Sequence, residues 1–397
     1  MRIVRLETLR ADGGWRPFSF LKVVTDEGLH GWSEFVEGSW SRGLDQVILA
    51  LGKTVVGRDP RAFGRLAAEL RAVTRFAAGG LNQQAIAAIE NACLDIAAKA
   101  RGVPVYALFG GPIRGSIEVY WSHCGSFRAQ YPELFERVIG KPRLASLDDV
   151  RRLGEEAAAR GFKSVKTNPI VFEKDGPRLL NPGFVVPGLD FAGTVDERTL
   201  RAIADQVAAL RAGLGADGGL MIDFNFGFKP AALRRIARAV KDSEPAWIEA
   251  DVLDAAALAS LRADVPAPIA SLETLHGRRA YRPYLSARSV DVAIVDVPWN
   301  GFCEAVRIAS LAETHDVNVA PHNFYGPLAD LITAHFCATV ENLAIMEIEG
   351  DDVPWKSDLL KGGGTLHGGY FTLPDAPGWG ADVDEDAVRA HPWSGRP

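Results

Sequence analysis

The sequence has little cysteine, and its four cysteines lack the spacing of a metal site or a disulfide framework. Cys93, Cys124, Cys303 and Cys337 are scattered along the chain, and no two of them form a CxxC pair. Thiolate zinc sites need such close pairs, and small secreted domains need dense disulfides. We therefore expect four reduced thiols in the core.

Long apolar runs and concentrated charge are also missing. The chain starts MRIVRLETLRADGG, without the apolar core of a signal peptide, and no run of about 18 uncharged apolar residues follows. The formal net charge of -6 comes from interspersed acids and bases. Such a surface gives no footprint for nucleic acid or for an anionic membrane. These absences favour a cytoplasmic protein that acts on a small molecule.

The chain does have the length and apolar content for more than one core. It has 397 residues, of which 47% are hydrophobic, and single cores usually stop growing beyond about 250 residues. The first 35 residues alternate like strands, in RIVRLETL, FSFLKVVT and LHGWSEF, with the turn DEG before the last. From about residue 45 to 101 the period is helical and would bury Ile86, Ile89 and Ile96 on one face. The N-terminal part is therefore predicted to be α+β.

After GGPIRG, short apolar strands alternate with amphipathic helices. IEVYWS, FKSVKTN and LMIDFN are separated by helical patterns around 148 to 160 and 195 to 213, which predicts a parallel sheet. Polar residues then end successive strands at intervals of 23 to 26 residues: Asp223, Glu249, Glu273, Asp296, His322 and Glu347. A strand, a crossover helix and two loops need about that length, and such barrels carry their active sites at these strand ends. We predict an α/β fold with a TIM-type (β/α)7β barrel.

A doubly wound open sheet is the alternative fold, but its dinucleotide fingerprint is missing, since GADGG at 215–219 precedes a strand. We predict an α+β capping domain at 1–113, the barrel at 114–350, and a C-terminal segment at 351–397 that returns to the capping domain. The long interval before Asp223 contains PRLLNPGFVVPGLDFAG, which we interpret as a functional loop or flap.

Three carboxylates, Asp223, Glu249 and Glu273, end consecutive strands and are expected to converge at the barrel mouth. Like charges there would raise each other's pKa unless a cation joins them. An all-oxygen ligand set without Cys or His favours Mg²⁺. The alternative is that each acid forms a structural ion pair with a nearby Lys or Arg, but three acids in register favour the metal.

Asp296 closes the strand VDVAIVD, and His322 follows NVAP one strand later. Adjacent strand ends could therefore place this carboxylate against the imidazole, and a His oriented in this way can act as a general base. Only His322 is assigned both a strand-end register and an acid. The histidines expected to be structural or exposed are His123, His276, His315 and His335.

Lys166 ends an earlier strand, FKSVKTN, and Asn168 two residues later points the same way. A cation at Lys166 would face a bound anion, whereas Lys163 is expected at the surface. Glu347 in LAIMEIE could act as an acid or bind a substrate oxygen. Glu349 shares its strand face, and the choice between the two stays open.

Three segments also resemble the mandelate racemase / muconate lactonizing enzyme branch of the enolase superfamily. VVTDEGLHGWSE resembles the second and third strands of that family's capping domain, and CLDIAAKARGVPVYALFGGPIR resembles the helix and linker before its barrel. PGWGADVD resembles its C-terminal return segment. The resemblance covers nearly the whole chain and implies a capped barrel, Mg²⁺ as cofactor and a homo-oligomer, either a dimer or an octamer.

The resemblance assigns a role to each strand-end residue. The implied roles are Mg²⁺ ligands for Asp223, Glu249 and Glu273, the catalytic dyad for Asp296 and His322, and the strand-eight acid for Glu347. Some positions depart from the family pattern. Ala250 and Asp251 follow Glu249 where Glu-Pro is usual, which leaves the role of Asp251 open. Asn168 replaces the second lysine of Lys-x-Lys, and Asn225 stands where galactonate dehydratases carry His.

We therefore expect an acid-sugar dehydratase, acting on an aldonate or aldarate. The metal and Lys166 would bind the carboxylate, His322 would remove the α-proton, and loss of the β-hydroxyl would give a 2-keto-3-deoxy acid. A racemase, epimerase or cycloisomerase with the same enediolate intermediate is the alternative, and a non-catalytic metal-stabilised barrel is a third. Racemisation ordinarily needs a base on each face, and the amide of Asn168 cannot be one. His322 alone could serve dehydration by returning its proton to the hydroxyl.

Substrate specificity is expected in loops 11–18 and 37–43, which in the family close over the barrel mouth. The candidate substrate contacts there are Arg16, Trp40 and Arg42, and surface roles for them are the alternative. Asn168 and Asn225 are further candidates within the barrel.

Overall fold

The N-terminal part of the protein is an antiparallel sheet covered by helices. The protein is described from a computed structural model, which describes residues 1–38, 40–180 and 193–395. The elements of this capping unit are β1 (Ile3–Asp12), β2 (Pro17–Thr25), β3 (His30–Phe35), α1 (Leu44–Gly52), α2 (Phe63–Val73) and α3 (Gly80–Lys99). The sheet order is β1-β2-β3, with both pairings antiparallel. This arrangement confirms the α+β pattern predicted from the alternating strands and the helical period.

Helix α3 is buried more completely than its period predicts. Ile86, Ile89 and Ile96 are buried as expected, but so is every residue from 83 to 98. The expectation of a single buried face is too narrow, because α3 lies between the capping sheet and the large α/β unit. Gln83, for example, donates its side-chain N–H to the Asn300 carbonyl at 2.8 Å.

The central sheet is parallel. Its strands are β4 (Ser116–Ser122), β5 (Ser164–Thr167), β8 (Gly219–Asp223), β9 (Trp247–Glu249), β10 (Ile269–Ser271), β11 (Val292–Asp296), β12 (Asn318–His322) and β13 (Met346–Glu349), with the hairpin β6 (Ile170–Glu173) and β7 (Gly176–Leu179) after β5. The parallel order is β13-β4-β5-β8-β9-β10-β11-β12. Each strand therefore neighbours the next of the set along the chain, as in a barrel.

Helices follow most of these strands and cover the sheet. They are α4 (Ser126–Gln130), α5 (Pro132–Leu134), α6 (Leu147–Ala159), α7 (Glu197–Leu214), α8 (Pro230–Ala239), α9 (Ala255–Asp264), α10 (Arg278–Ser286), α11 (Val297–Asn300), α12 (Phe302–Glu313) and α13 (Pro327–Cys337). Helices α6 and α7 lie close to the spans predicted from the sequence. Residues 181–192, most of the stretch interpreted as a flap, lie outside the described residues.

The two ends of the parallel sheet approach each other at β12. Val319 forms an isolated parallel bridge with Leu343, just before β13, and the Ala344 N–H donates to the Val319 carbonyl at 2.8 Å. Chain order and strand direction agree with a (β/α)7β barrel, and this bridge lies where its ring would complete. Full closure of the barrel stays a prediction.

The C-terminal segment returns to the capping unit. Its elements are β14 (Leu360–Gly362), β15 (Thr365–His367), β16 (Tyr370–Thr372), β17 (Ala381–Val383) and α14 (Glu385–Ala390). The β15–β16 hairpin instead extends the central sheet, because β16 pairs antiparallel with β4. Asp95 on α3 accepts the backbone N–H of Trp32 and that of Trp379, both at 2.9 Å. Lys99 Nζ lies 2.7 Å from both Asp95 and Asp382. Residues of the tail, of β3 and of α3 thus share one buried polar cluster, while the domain boundaries at 113 and 350 stay a prediction.

A carboxylate of the capping unit caps helix α13. Gly326, the residue before α13, provides no side-chain cap. Glu34 on β3 instead accepts the backbone N–H groups of Gly326, Leu328 (3.1 Å) and Ala329 (2.9 Å). A Cβ on Gly326 would lie 2.5 Å from Glu34 Oε1, so glycine is required for this approach.

Helix α12 is capped in the same way. It follows Gly301, and its first N–H groups donate across the domain boundary, Phe302 to Asn91 Oδ1 at 2.9 Å and Cys303 to Glu90 Oε1 at 3.0 Å. Both acceptors lie on α3. The capping unit therefore satisfies backbone donors that helix N-termini otherwise leave exposed.

The cysteines and the helix composition match two features of the sequence. Cys93, Cys124, Cys303 and Cys337 are free and buried, which agrees with core thiols. Among the described residues, no helix has the length and apolar content needed to cross a bilayer.

Candidate active site

Buried acids surround Lys166 at the C-terminal ends of the parallel strands. Its Nζ lies 2.9 Å from Glu347 Oε1, 3.0 Å from Glu249 Oε2 and 3.6 Å from Asp223 Oδ2. Asp223 and Glu249 are paired residues of β8 and β9, so the strand register puts their carboxylates side by side. Burial lowers the pKa of Lys166, but these acids outweigh it and hold the pKa well above its usual value. The ammonium group is therefore a fixed cation.

His322 and Asp296 face each other on neighbouring strands. They are paired residues of β12 and β11, and His322 Nδ1 lies 2.7 Å from Asp296 Oδ2. The Tyr325 hydroxyl donates to the same carboxylate oxygen. His322 Nε2 points away from the dyad and lies 3.5 Å from Glu273 Oε2. Asp296 thus orients an imidazole whose other nitrogen faces the acids, as a general base requires.

Two of these acids, Glu249 and Glu273, have pKa values above the usual range for a carboxyl. Burial raises the pKa of Glu249 to about 7, against the attraction of Lys166 and with the support of Asp223. Burial also raises the pKa of Glu273 well above its usual value, against the attraction of His322. The Lys166 ammonium lies among these carboxylates and balances part of this buried negative charge.

The donor chemistry of Asp223, Glu249 and Glu273 fits a hard divalent cation, because all donors are carboxylate oxygens. Glu249 Oε1 supports this reading, since it is buried and has no hydrogen-bond partner in the part of the chain that the structure describes. Across residues 1–38, 40–180 and 193–395, however, no group of three His, Cys, Asp or Glu side chains is arranged to hold a metal ion. Asp223 and Glu249 contact Lys166, and Glu273 contacts His322.

The two candidate asparagines hydrogen-bond within the protein. Asn168 Oδ1 accepts from the Ser126 hydroxyl at 2.9 Å, and its Nδ2 donates to the Asp223 carbonyl at 3.2 Å. Asn225 has a positive φ of 52°, and its backbone N–H donates to Asp223 Oδ1 at 2.8 Å. Both residues hold the segment that carries Asp223, and their predicted contacts with substrate stay predictions.

Asp251 supports the turn that carries Glu273. Its Oδ1 accepts from the Ser271 hydroxyl at 2.6 Å and from the Leu272 N–H at 2.8 Å. Its Oδ2 accepts from the Thr274 hydroxyl at 2.7 Å. Leu272 has a φ of 92°, which an L-residue adopts only at a cost. Asp251 therefore holds a strained turn.

Arg16 lies near the strand ends but is enclosed. Its guanidinium packs on the rings of Trp15 (4.4 Å) and Phe18 (4.9 Å). Its Nη2 donates to the Tyr325 carbonyl at 3.0 Å and to Asp352 at 2.9 Å, and the side chain is 5% exposed. These contacts make Arg16 a link between loop 11–18 and the strand ends.

Trp40 and Arg42 lie on the capping unit beside Ser39, which lies outside the described residues. Trp40 is 52% exposed, and Arg42 is also exposed. Within the described structure, no contact links either side chain to the acids. Their predicted role in substrate binding stays a prediction.

Glu347 and Glu349 point to different partners. Glu347 binds Lys166, the Ser122 hydroxyl and, at 2.7 Å, the Asn323 N–H. Glu349 Oε2 lies 3.2 Å from His123 Nδ1. Glu347 therefore belongs to the Lys166 cluster and Glu349 to the pair with His123, and the catalytic role of Glu347 stays a prediction.

The sequence reasoning overlooked His123. The expectation that only His322 combines a strand-end register with an acid is wrong, because His123 directly follows β4 and pairs with Glu349. The signal was present in WSHC, where polar residues follow the apolar strand IEVYW. Lys163, in contrast, is exposed as expected.

Two family descriptions match the chain. "Mandelate racemase / muconate lactonizing enzyme, N-terminal domain" matches residues 12–110, and "Enolase C-terminal domain-like" matches residues 149–387. The capped α/β architecture and these matches define a member of the enolase superfamily. Within it, the chain belongs to the mandelate racemase / muconate lactonizing enzyme branch, which confirms the resemblance seen in the sequence.

Named relatives fall into more than one reaction class. A D-galactonate dehydratase from Ralstonia nicotianae is 30% identical over 399 residues, covering 98% of this chain and 94% of the relative. A structure from Burkholderia xenovorans, provisionally named an L-alanine-DL-glutamate epimerase and bound to magnesium and fumarate, is 43% identical. It has a TM-score of 0.95 and covers 98% of this chain and 96% of that one.

A 3,6-anhydro-D-galactonate cycloisomerase from Zobellia galactanivorans has a TM-score of 0.80, with 22% identity and coverage of 98% and 99% of the two chains. That likeness concerns the fold. The relatives support an enzyme, with a dehydratase named among those that align over nearly the full length.

Proposed function

We propose that the protein is a Mg²⁺-dependent acid-sugar dehydratase that converts an aldonate or aldarate to a 2-keto-3-deoxy acid. The observation that carries the proposal is the Asp296–His322 dyad, whose Nε2 faces a buried cluster of acids. The alignment with D-galactonate dehydratases over 98% of the chain supports the substrate class.

In this proposal, Asp223, Glu249 and Glu273 would hold Mg²⁺, the ion bound in the Burkholderia xenovorans structure. The ion would supply positive charge for the substrate carboxylate. Lys166 adds a fixed cation to the same region. His322 removes the proton from C2 through Nε2, while Asp296 holds Nδ1 and stabilises the imidazolium that forms. Loss of the C3 hydroxyl as water then gives the enol of the keto acid.

Epimerisation is the second candidate, favoured by the name of the 43% identical relative. It needs a group on the opposite face that can exchange a proton. Lys166 Nζ lies among the carboxylates of Glu249 and Glu347, where the proposal has it bind the substrate carboxylate, and Asn168 is an amide. Neither residue is therefore placed to exchange a proton on the opposite face, which favours dehydration.

The test is a panel of aldonates and aldarates, D-galactonate included, with the purified protein and Mg²⁺. We expect a keto acid trapped by semicarbazide, and in D₂O deuterium at C3. H322N should form no keto acid, whereas H315N, on the partly buried His315 after α12, should keep wild-type activity. Accumulation of a C2 epimer with deuterium at C2, and no keto acid, would reject the dehydratase and support the epimerase.

A further inference from the structure

A second histidine–carboxylate pair lies at the ends of β4 and β13. His123 Nδ1 is 3.2 Å from Glu349 Oε2 and 3.0 Å from the Ser122 hydroxyl oxygen. Ser122 and Glu349 are paired residues of the two strands. The register thus fixes this pair much as the register of β11 and β12 fixes Asp296 and His322. Because protein groups contact Nδ1, Nε2 is the nitrogen available to a ligand.

The two imidazoles border the same space. The ring of Phe324 lies 4.9 Å from that of His123 and 5.2 Å from that of His322, both edge-on. Glu347 and Lys166 are also close enough to influence the charge of His123. A substrate held beside His322 Nε2 would therefore have His123 on another side.

The backbone of His123 is strained. Its φ is 47°, a left-handed conformation that costs an L-residue about 1 kcal/mol or more. The next residue is fixed by a hydrogen bond from the Cys124 N–H to the Lys166 carbonyl at 2.8 Å. Strain of this kind is found mainly where a side chain must be placed for function.

We propose that His123, assisted by Glu349, is the general acid that protonates the C3 hydroxyl as it leaves. The inference rests on the proposed dehydratase function and names the proton donor of its second step. His322 takes the C2 proton, and the C3–O bond breaks as His123 Nε2 gives its proton to the departing oxygen. Water leaves, and the electron pair of the C2–H bond becomes the C2–C3 double bond of the enol.

Glu349 completes the proton balance. Burial lowers the pKa of His123 to about 3 and raises the pKa of Glu349 well above its usual value. The proton of the pair therefore rests on Glu349 before substrate binds. When Nε2 gives its proton away, Glu349 supplies one to Nδ1, which leaves a neutral imidazole beside a carboxylate. Solvent restores the lost proton after turnover.

The test compares two leaving groups. The acid sugar that the wild type dehydrates in the panel above is paired with its 3-deoxy-3-fluoro analogue, because fluoride leaves without a proton. In H123Q, water loss should fall by about 10²–10⁴-fold, the usual contribution of general acid catalysis. Fluoride release and exchange of the C2 hydrogen in D₂O should stay within a few-fold of the wild type. E349Q, which preserves shape but cannot pass on a proton, should show the same selectivity.

Two controls frame the result. H322N should lose both water and fluoride release, because it lacks the base. H276Q removes another imidazole close to the site, which stacks on Trp299, and should keep the wild-type ratio of the two rates. Equal losses of water and fluoride release in both H123Q and E349Q, or no loss, would overturn the proposal and leave His322 as the donor.

Failure of the proposed function has a different signature. In that case the wild type itself releases neither water nor fluoride from any acid sugar, and the role of His123 as a leaving-group acid is rejected with it. If the wild type forms only the C2 epimer and H123Q loses that activity, His123 is a second base instead.

Discussion

Asp251 acts on the site indirectly, because it holds the turn that carries Glu273. It accepts hydrogen bonds from Ser271, Leu272 and Thr274, and so holds the turn that bears Glu273. In D251N, half of the side chain becomes a donor that faces donors. We expect Mg²⁺ affinity to fall about 10–100-fold, as when other groups that orient metal ligands are changed. Isothermal titration with Mg²⁺ measures this directly.

E249Q and D254N are the positive and negative controls for that measurement. E249Q removes a candidate ligand and should abolish both Mg²⁺ binding and turnover. D254N changes a nearby carboxylate that caps α9 through the Ala257 N–H, and should leave Mg²⁺ affinity unchanged. Wild-type affinity in D251N would mean that Glu273 is not a ligand or that its turn is held without Asp251.

For single residues, the sequence predicted where the strand-end side chains lie better than it predicted which side chains they contact. The spacing of strand-end polar residues placed Asp223, Glu249 and Glu347 at one end of the sheet. It did not predict that Lys166 would form ion pairs with all three, because those contacts depend on side-chain length and direction. His123 was missed because the strand-end rule was not applied to β4, which precedes the regular intervals.

Helix α13 directly follows the loop after His322, and its N-terminus depends on Glu34. Removing this acceptor in E34A leaves buried N–H groups of Gly326, Leu328 and Ala329 unpaired, and each unpaired group costs about 1–3 kcal/mol. We expect the thermal unfolding midpoint of E34A to fall by several degrees at every pH. A midpoint equal to that of the wild type would show that other groups satisfy these donors.

E34Q tests the charge of the same side chain. Burial raises the pKa of Glu34 to about 7, against the hydrogen bonds from Ala329 and Gly326. A raised carboxyl pKa gives stability that is present at low pH and is lost as pH rises, here between about pH 4.5 and 7. E34Q mimics the protonated form, so its free energy of unfolding should gain on that of the wild type by up to about 3 kcal/mol across that window. A difference that is constant from pH 4.5 to 8 would contradict the ionisation of Glu34.

At the element scale, these caps could not be predicted from local sequence. Helix starts are usually recognised from Ser, Thr, Asp or Asn directly before the helix, as at Asp254 before α9. Helices α12 and α13 begin after glycine, and their acceptors come from residues more than two hundred positions away. Only the docking of the capping unit brings such groups together.

At the scale of the whole molecule, Asp95 joins the tail to the capping unit. It is fully buried and binds Trp32, Trp379 and Lys99. Its removal leaves the Trp32 and Trp379 N–H groups without this acceptor and leaves Lys99 with Asp382 as its carboxylate partner. D95A should therefore cost about 3–5 kcal/mol, as for other broken buried pairs. We expect a lower unfolding midpoint and faster proteolysis within residues 360–395.

The matched control is D386A, which removes an exposed carboxylate paired with Arg389. It lies in the same tail but should change the midpoint little. Equal effects of D95A and D386A would show that the buried cluster contributes nothing beyond a surface pair.

The overall architecture was the part most accessible to sequence reasoning. Intervals of 23 to 26 residues between strand ends predicted the parallel strands and their order, because each unit has a fixed length. The burial of α3 on all faces was not predictable from its helical period, since a period reports one face at a time. The second face is used only because the capping unit docks on α11 and α12.

The carboxylate of Glu34 also limits how such proteins can recombine. A capping unit transplanted from a relative would have to bring an acceptor to the same place, and a barrel recipient would have to keep glycine at position 326. A chimera that lacks either residue would leave backbone N–H groups unpaired at the start of α13, close to the loop after His322. Compatibility between the two halves of this architecture therefore depends on a few buried hydrogen bonds between them.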